Sequence, residues 1–141
     1  MRFMALVKAT KDSEAGVLPD EQQLIDMGKF NAELVHADVL LAGDGLQASS
    51  KGSRIKFEAG GKKTVSRGPF PETKDLISGY WIVQMTSMDE AIEWFSRCPL
   101  VEGEIEVRQL FESADFEPAI GTDEGRATMD AEREFRQGSS A

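Results

Sequence analysis

The chain is predicted to be an α+β domain running β-α-β, then a β-hairpin, then β-α-β. Three observations predict it. Residues 2–8, 39–42, 79–85 and 104–111 are short runs that alternate or stay apolar, as strands do. Two longer stretches carry helix-start signals followed by apolar residues at helical spacing. Between the two β-α-β halves, Ala59-Gly60-Gly61-Lys62 joins two short strands, residues 54–58 and Lys63–Arg67. That order is a ferredoxin-like plan with an inserted hairpin.

In the first strand, Phe3, Ala5 and Val7 share one face and Met4 and Leu6 the other. Both faces are apolar, so both sides of the sheet are expected to be covered. Residues 10–17 read as a polar loop. Pro19-Asp20-Glu21 opens the first helix, with the proline in its first turn and the acids at the positive end of its dipole. Leu24, Met27, Gly28, Asn31, Leu34 and Val35 share its inward face. The only histidine, His36, falls off that stripe near the helix C-terminus and reads as solvated. Gly43-Asp44-Gly45 after the second strand reads as a bend or bulge where backbone passes closely.

The hairpin has Ile55 and Phe57 on one face against Arg54, Lys56 and Glu58 on the other, and reads as peripheral. Residues 79–85 form a central strand, with Trp81, Val83 and Met85 opposite Tyr80, Ile82 and Gln84. Ser87-Met88-Asp89-Glu90 is a capping box for a helix turning Met88, Ala91, Ile92 and Phe95 inward and ending before Pro99. Cys98, in its last turn, reads as a structural thiol, since no histidine is placed to activate it. The last strand alternates Ile105 and Val107 with Glu104, Glu106 and Arg108. Beyond it the apolar pattern fades. Residues 128–136 have the composition of a short charged helix without an apolar stripe, and Gly138-Ser139-Ser140-Ala141 reads as flexible.

The chain has 141 residues, 40% hydrophobic and 29% charged, which fits one soluble domain over residues 1–111 and a tail over 112–141. The tail holds eight acids and three arginines, a net of −5, out of −9 for the whole chain. That balance argues against binding a nucleic-acid backbone. No apolar run reaches the ~20 residues that cross a bilayer, so no membrane partner is expected. With a single cysteine there is no internal disulfide, and a reducing cytoplasm is the expected setting. With one histidine and one cysteine at no paired spacing, no metal and no cofactor is called for, and haem- or metal-dependent monooxygenase chemistry is disfavoured.

The richest chemistry lies in the connection Ser66-Arg67-Gly68-Pro69-Phe70-Pro71-Glu72-Thr73-Lys74 between two strands. A hairpin needs only a short turn, whereas binding groups gather on longer loops held by a scaffold. The expected ligand residues are Arg67 and Lys74 for a small anion or carboxylate and Glu72 as acceptor or general base. Phe70, Asn31, Asp44 and Arg108 add contacts, and Tyr80 or Trp81 a stacking wall. For Asn31 the competing reading is an amide bonded to nearby backbone, and for Asp44 a turn residue. No catalytic residue is assigned.

The segments Met1-Arg2-Phe3-Met4-Ala5-Leu6-Val7-Lys8, Val39-Leu40-Leu41-Ala42-Gly43-Asp44-Gly45-Leu46, Gly68-Pro69-Phe70-Pro71-Glu72-Thr73-Lys74, Gly79-Tyr80-Trp81, Asp89-Glu90-Ala91 and Glu104-Ile105-Glu106-Val107-Arg108 resemble the YCII-related proteins of the DGPF type, over about residues 1–111. The resemblance implies a ferredoxin-like domain that dimerises through its sheet into an α/β barrel. It implies no settled reaction. Some relatives occur beside extracytoplasmic-function sigma factors, one branch resembles a chlorohydrolase-like enzyme, and the compact YCII proteins have a His-Asp pair proposed as catalytic. Here the helix face that would hold the histidine carries Met27 and Asn31, and Arg67 stands where the family usually has an aspartate. Both departures count against hydrolase chemistry. The function expected is a small-ligand-binding homodimer. The alternatives are a non-catalytic structural or regulatory dimer module and a weak hydrolase-like enzyme.

Overall fold

A computed structural model describes residues 1–139. The strands are β1 (Arg2–Lys8), β2 (Leu40–Gly45), β3 (Ser53–Phe57), β4 (Lys63–Arg67), β5 (Ile77–Gln84) and β6 (Ile105–Gln109). The helices are α1 (Lys11–Glu14), α2 (Glu21–His36), α3 (Met88–Ser96) and α4 (Asp123–Ser139), with 3-10 turns at Ser49–Lys51, Thr73–Asp75 and Ser113–Ala119. Four strands form an antiparallel sheet in the order β2-β5-β1-β6, and β3 and β4 form a separate two-stranded ribbon. This is the expected ferredoxin-like order with its inserted hairpin. Within one chain the sheet is open and closes no barrel.

α2 forms because Asp20 caps it. The Asp20 carboxylate accepts from the Gln23 N–H, and the Gln23 side chain accepts from the Asp20 N–H, both at 2.8 Å. Pro19 therefore precedes the cap instead of lying in the first turn. The helix ends in a Schellman-type closure: the Asp38 N–H donates to the Val35 carbonyl and the Val39 N–H to the Leu34 carbonyl. Asp38 takes φ 60 there, where glycine is the usual occupant. The buried face is Phe30 and Leu34, flanked by Met27 and Asn31, while Leu24 and Val35 are exposed. The predicted stripe was centred away from Phe30, which no reading placed inward.

The core lies between the helices and one face of the sheet. Phe3 and Ala5 of β1, Trp81 and Val83 of β5, Met85, Phe30, Leu34, Ala91 and Phe95 are its buried residues. Complete burial of Phe3, Leu34 and Val83 contributes about 1.5–3 kcal/mol each before entropy is counted. Phe30, Trp81 and Phe95 meet as a triangle of rings with centroids 5.3–6.0 Å apart. Gly43 lies flat against this cluster, since a Cβ there would sit 2.9 Å from Trp81 Cδ1. The close approach expected at Gly43-Asp44-Gly45 is real, but those residues continue β2, and the register shift falls between Leu40 and Ala42.

In α3, Ala91 and Phe95 are buried, whereas Met88 and Ile92, also expected inward, are exposed. Ser87 caps the helix by accepting from the Glu90 N–H at 3.1 Å. The Glu90 carboxylate, however, accepts from the Thr86 N–H at 2.8 Å, one residue before the predicted partner.

Two stretches read as irregular are structured. Within 10–17, Thr10 and Ser13 form a reciprocal cap that winds α1. In the tail, α4 runs through 17 residues, well beyond the expected 128–136. Ser140 and Ala141, part of the stretch read as flexible, lie outside the described residues. No helix among the described residues is long and apolar enough to cross a membrane.

Candidate functional site

The two faces of the sheet differ sharply in what covers them. The face of Phe3, Ala5, Trp81 and Val83 meets the helices. Register defines the other face as two rows. One row runs Ala42, Ile82, Met4, Arg108 across the four strands, and the next runs Asp44, Tyr80, Leu6, Glu106. Met4, Leu6, Tyr80 and Ile82 are only half-buried. The face thus has an apolar middle with polar groups at both edges.

At the β2 edge the Tyr80 hydroxyl donates to Asp44 Oδ2 at 3.1 Å. That hydrogen bond, then the Asp44 charge, raises the phenol pKa above its ordinary value. At the β6 edge Glu106 lies 3.5 Å from Lys8 Nζ and 3.9 Å from Arg108 Nη1. These are partly exposed pairs whose net contribution is small. Asn31 is on the opposite side of the sheet. Its Oδ1 accepts from Trp81 Nε1 at 2.8 Å, so the amide's partner is an indole and not backbone.

The connection after β4 is held from below by Ser49. The Ser49 hydroxyl donates to Glu14 Oε2 at 2.6 Å and accepts from the Phe70 N–H at 2.9 Å, and the Ser49 N–H donates to Glu14 Oε1 at 3.0 Å. The Gly68 N–H donates to the Gly52 carbonyl at 2.9 Å. Gly68 packs so tightly on Ser49 that an added Cβ would fall 2.6 Å from the Ser49 carbonyl carbon and nearer still to its oxygen. The Gly68–Pro69 bond is cis. Above this floor the Arg54 guanidinium stacks 3.9 Å from the Phe70 ring centroid and reaches Glu72 Oε2 at 3.2 Å. Glu72 and Phe70 therefore form a clasp with the hairpin. Arg67 and Lys74 are exposed.

The seven predicted ligand residues do not converge. Asn31 lies beneath the helices, Asp44 and Arg108 lie on the open face at opposite edges, and Arg67, Phe70, Glu72 and Lys74 belong to the outer loop. Two hollows mark the helix side. One, about 330 Å³, is lined by Ile92, Phe95, Cys98, Leu100, Ile105 and Val107 among others. The other, about 540 Å³ and open, is lined by Ala32, Glu33, His36, Ala37 and Trp94. Neither touches a predicted ligand residue. The reading missed Glu14 and Ser49, which build the loop's floor, and Arg54, which engages its carboxylate. Among the described residues, no group of three or more His, Cys, Asp or Glu side chains is arranged to hold a metal ion.

A model of the YCII-related domain matches residues 1–114, so the chain belongs to the YCII-related family. No curated protein matches it. Among solved structures it is similar to the 5-chloro-2-hydroxyhydroquinone dehydrochlorinase of Burkholderia phenoliruptrix AC1100, in complex with 2,5-dihydroxybenzoquinone. The likeness has 14% identity and a TM-score of 0.43, and it covers 79% of this chain and 95% of that one. A likeness that distant carries no argument about chemistry.

Proposed function

We propose that this YCII-related protein is a small-ligand-binding domain acting as a homodimer, in which two copies stack their open sheet faces into an α/β barrel around a shared hollow. The observation that supports it is the chemistry of that face. Met4, Leu6, Ile82 and Ala42 present contiguous apolar surface that helices leave uncovered, and such surface favours a protein mate. The polar groups are confined to its edges: Asp44 with Tyr80 at one, Glu106 with Lys8 and Arg108 at the other. They would meet a ligand entering from the rim. Arg67 and Lys74, exposed beside the outer loop, suit a small anionic or carboxylate-bearing ligand. The half-buried Cys98 thiol fits a reducing cytoplasm.

The test joins sedimentation velocity at micromolar protein with a thermal-shift screen of small carboxylates. A dimer is expected, with a ligand at 100 times its Kd adding about 2.7 kcal/mol of stability. Lys74→Ala and Arg108→Ala should abolish that gain. A monomer, or no ligand response in the wild type, overturns the reading.

One observation favours a second reading, a non-catalytic structural or regulatory dimer module. Glu72, the candidate base, is already engaged by Arg54. On that reading Glu72→Gln lowers the melting temperature and no small molecule binds.

A further inference from the structure

The hairpin is the most basic part of an acidic protein. Residues 51–67 hold six cations (Lys51, Arg54, Lys56, Lys62, Lys63, Arg67) and one acid, a net of +5, while residues 112–141 hold a net of −5. The hairpin also exposes apolar side chains on a single face. Register places Ile55 opposite Val65 and Phe57 opposite Lys63, and Ile55, Val65 and Phe57 are 57%, 64% and 71% exposed. Lys63 and Arg67 lie on the same face, with Lys63 Nζ 5.6 Å from the Phe57 ring centroid. A two-stranded ribbon with one uncovered apolar face is marginal by itself.

α4 offers the complementary surface. Ala127, Ala131 and Phe135 recur every four residues. By the ~100° turn per residue of a helix they span an arc of about 80°, with Glu124 within it and Glu134 about 20° beyond the Ala127 edge. Ala127, Ala131 and Phe135 are all exposed. Four of the other six acids in the tail already have cations: Glu117 has Arg126, Asp130 has Arg133, Glu132 has Arg136 and Glu112 has Arg2, while Asp115 and Asp123 lie in the turn before α4 and in its first turn. Glu124 and Glu134 have no cationic partner among the described residues. Seventeen helical residues measure about 25 Å, enough to cover five-residue strands of about 17 Å.

The hairpin follows β2 and the tail follows β6, and these are the two outer strands of the sheet. Among the described residues, the chain's own tail leaves the hairpin face exposed. A two-fold axis along the strands, placed between stacked sheets, would exchange the edges and set the β6 side of one copy over the β2 side of the other.

We propose that α4 of one copy docks on the basic hairpin of a second copy, Ala127, Ala131 and Phe135 covering Ile55, Phe57 and Val65, with Glu124 and Glu134 facing the hairpin cations. Two such contacts form per dimer. This rests on the pairing proposed above and adds to it a mutual clasp of hairpin and tail.

The test uses full chains carrying Cys98→Ser. One adds Val65→Cys, a second Ala131→Cys, and a third both. Mild oxidation of the first two mixed is expected to give a mixed-chain disulfide dimer, and the third should give cross-linked dimer and not a circularised monomer. In sedimentation equilibrium, Lys62→Glu with Lys63→Glu, or Glu124→Lys with Glu134→Lys, should weaken association about tenfold at low salt, and combining both pairs should restore it. A stable dimer that forms neither cross-link nor charge rescue overturns the clasp and leaves the pairing. A monomer at 100 μM or so overturns both. An intrachain disulfide in the third variant overturns the choice of a second copy. So does a short single-stranded oligonucleotide that binds at physiological salt and is lost with the lysine reversals while dimerisation is unchanged.

Discussion

Gly68→Ala is the sharpest perturbation of the loop. A Cβ at residue 68 would meet only backbone: the Ser49 carbonyl oxygen, the Ser49 carbonyl carbon at 2.6 Å and the Ser50 nitrogen at 3.2 Å. None of these is the free end of a side chain, so the turn at Ser49–Lys51 and the strand end at Gly68 must separate. Separation breaks the Gly68 N–H to Gly52 carbonyl bond and the Phe70 N–H to Ser49 hydroxyl bond. Each is worth about 1 kcal/mol net. Overpacking strain adds about 1–3 kcal/mol. The expected loss is therefore about 3–5 kcal/mol, a large part of the stability of a domain this size. Ser49→Ala serves as the calibration. It removes the hydroxyl from Glu14 and from Phe70 without a clash, and should cost about 2 kcal/mol.

Urea denaturation measures both, and amide exchange locates the damage. Gly68→Ala should speed exchange at Gly68 and Phe70 while leaving Trp81 and Val83 of β5 protected. If Gly68→Ala lies within 0.5 kcal/mol or so of wild type, the tight seating of the loop on Ser49 is wrong. A cost equal to that of Ser49→Ala would mean that only the hydrogen bonds mattered.

The other predictions concern single contacts. Asn31→Leu leaves the Trp81 indole N–H without its acceptor and should cost about 1–2 kcal/mol in denaturant melts, and in a double-mutant cycle the cost of Asn31→Leu should largely vanish when it is made in a Trp81→Phe background. The Glu90 carboxyl is held below its ordinary value of 4.5, first by the Thr86 hydroxyl and then by the Thr86 amide. A depressed carboxyl stabilises the fold above its unfolded value and loses that contribution as pH falls through the folded one, so Thr86→Val should flatten the acid limb of the stability curve below about pH 4.5 and leave pH 7 to 8 little changed in slope. Burial raises the Cys98 thiol to about 11; iodoacetamide at pH 8 should alkylate the native protein far more slowly than the urea-unfolded chain, and equal rates would contradict the burial.

Strands and order were legible because their signals are local. β5 shows Trp81, Val83 and Met85 alternating with Tyr80 and Ile82, and that alternation needs no knowledge of the rest of the chain. The Gly60-Gly61 turn was legible for the same reason, both residues taking positive φ as a tight hairpin requires. Phe30 was readable but misassigned: Met27, Phe30, Asn31 and Leu34 also recur at helical spacing, and the stripe chosen gave weight to Leu24 and Val35 instead. α4 was underestimated because its apolar stripe includes two alanines, whose small side chains weigh little in a pattern. The floor of the loop was not legible at all. Glu14 and Ser49 are 35 residues apart, and nothing near either one signals the other. Glu90 shows the limit of a motif: the spacing fitted a capping box, but a threonine one residue earlier offered both an amide and a hydroxyl.

Tyr80 and Trp81 show why the open face is the place to look for a ligand. They are neighbours in one strand, so their side chains leave on opposite sides of the sheet. Each has a polar tip, and each tip finds one partner at comparable distance: the indole finds Asn31 at 2.8 Å, the phenol finds Asp44 at 3.1 Å. The indole of that pair packs against Phe30 and Phe95 in the core. The phenol pair faces outward on half-buried strands, with Ile82 and Leu6 beside it in the register. Asp44 uses one oxygen on Tyr80, and its other oxygen has no partner among the described residues. On the proposed reading, that acceptor beside an apolar floor would meet a hydroxyl or amine on a small molecule, and Arg108 across the sheet would meet an anion. The same two groups are too far apart, on outer strands, to hold a small ligand within one chain. If a ligand is bound here, a second copy that exchanges the two edges is what would bring an Asp44 and an Arg108 to the same side of it.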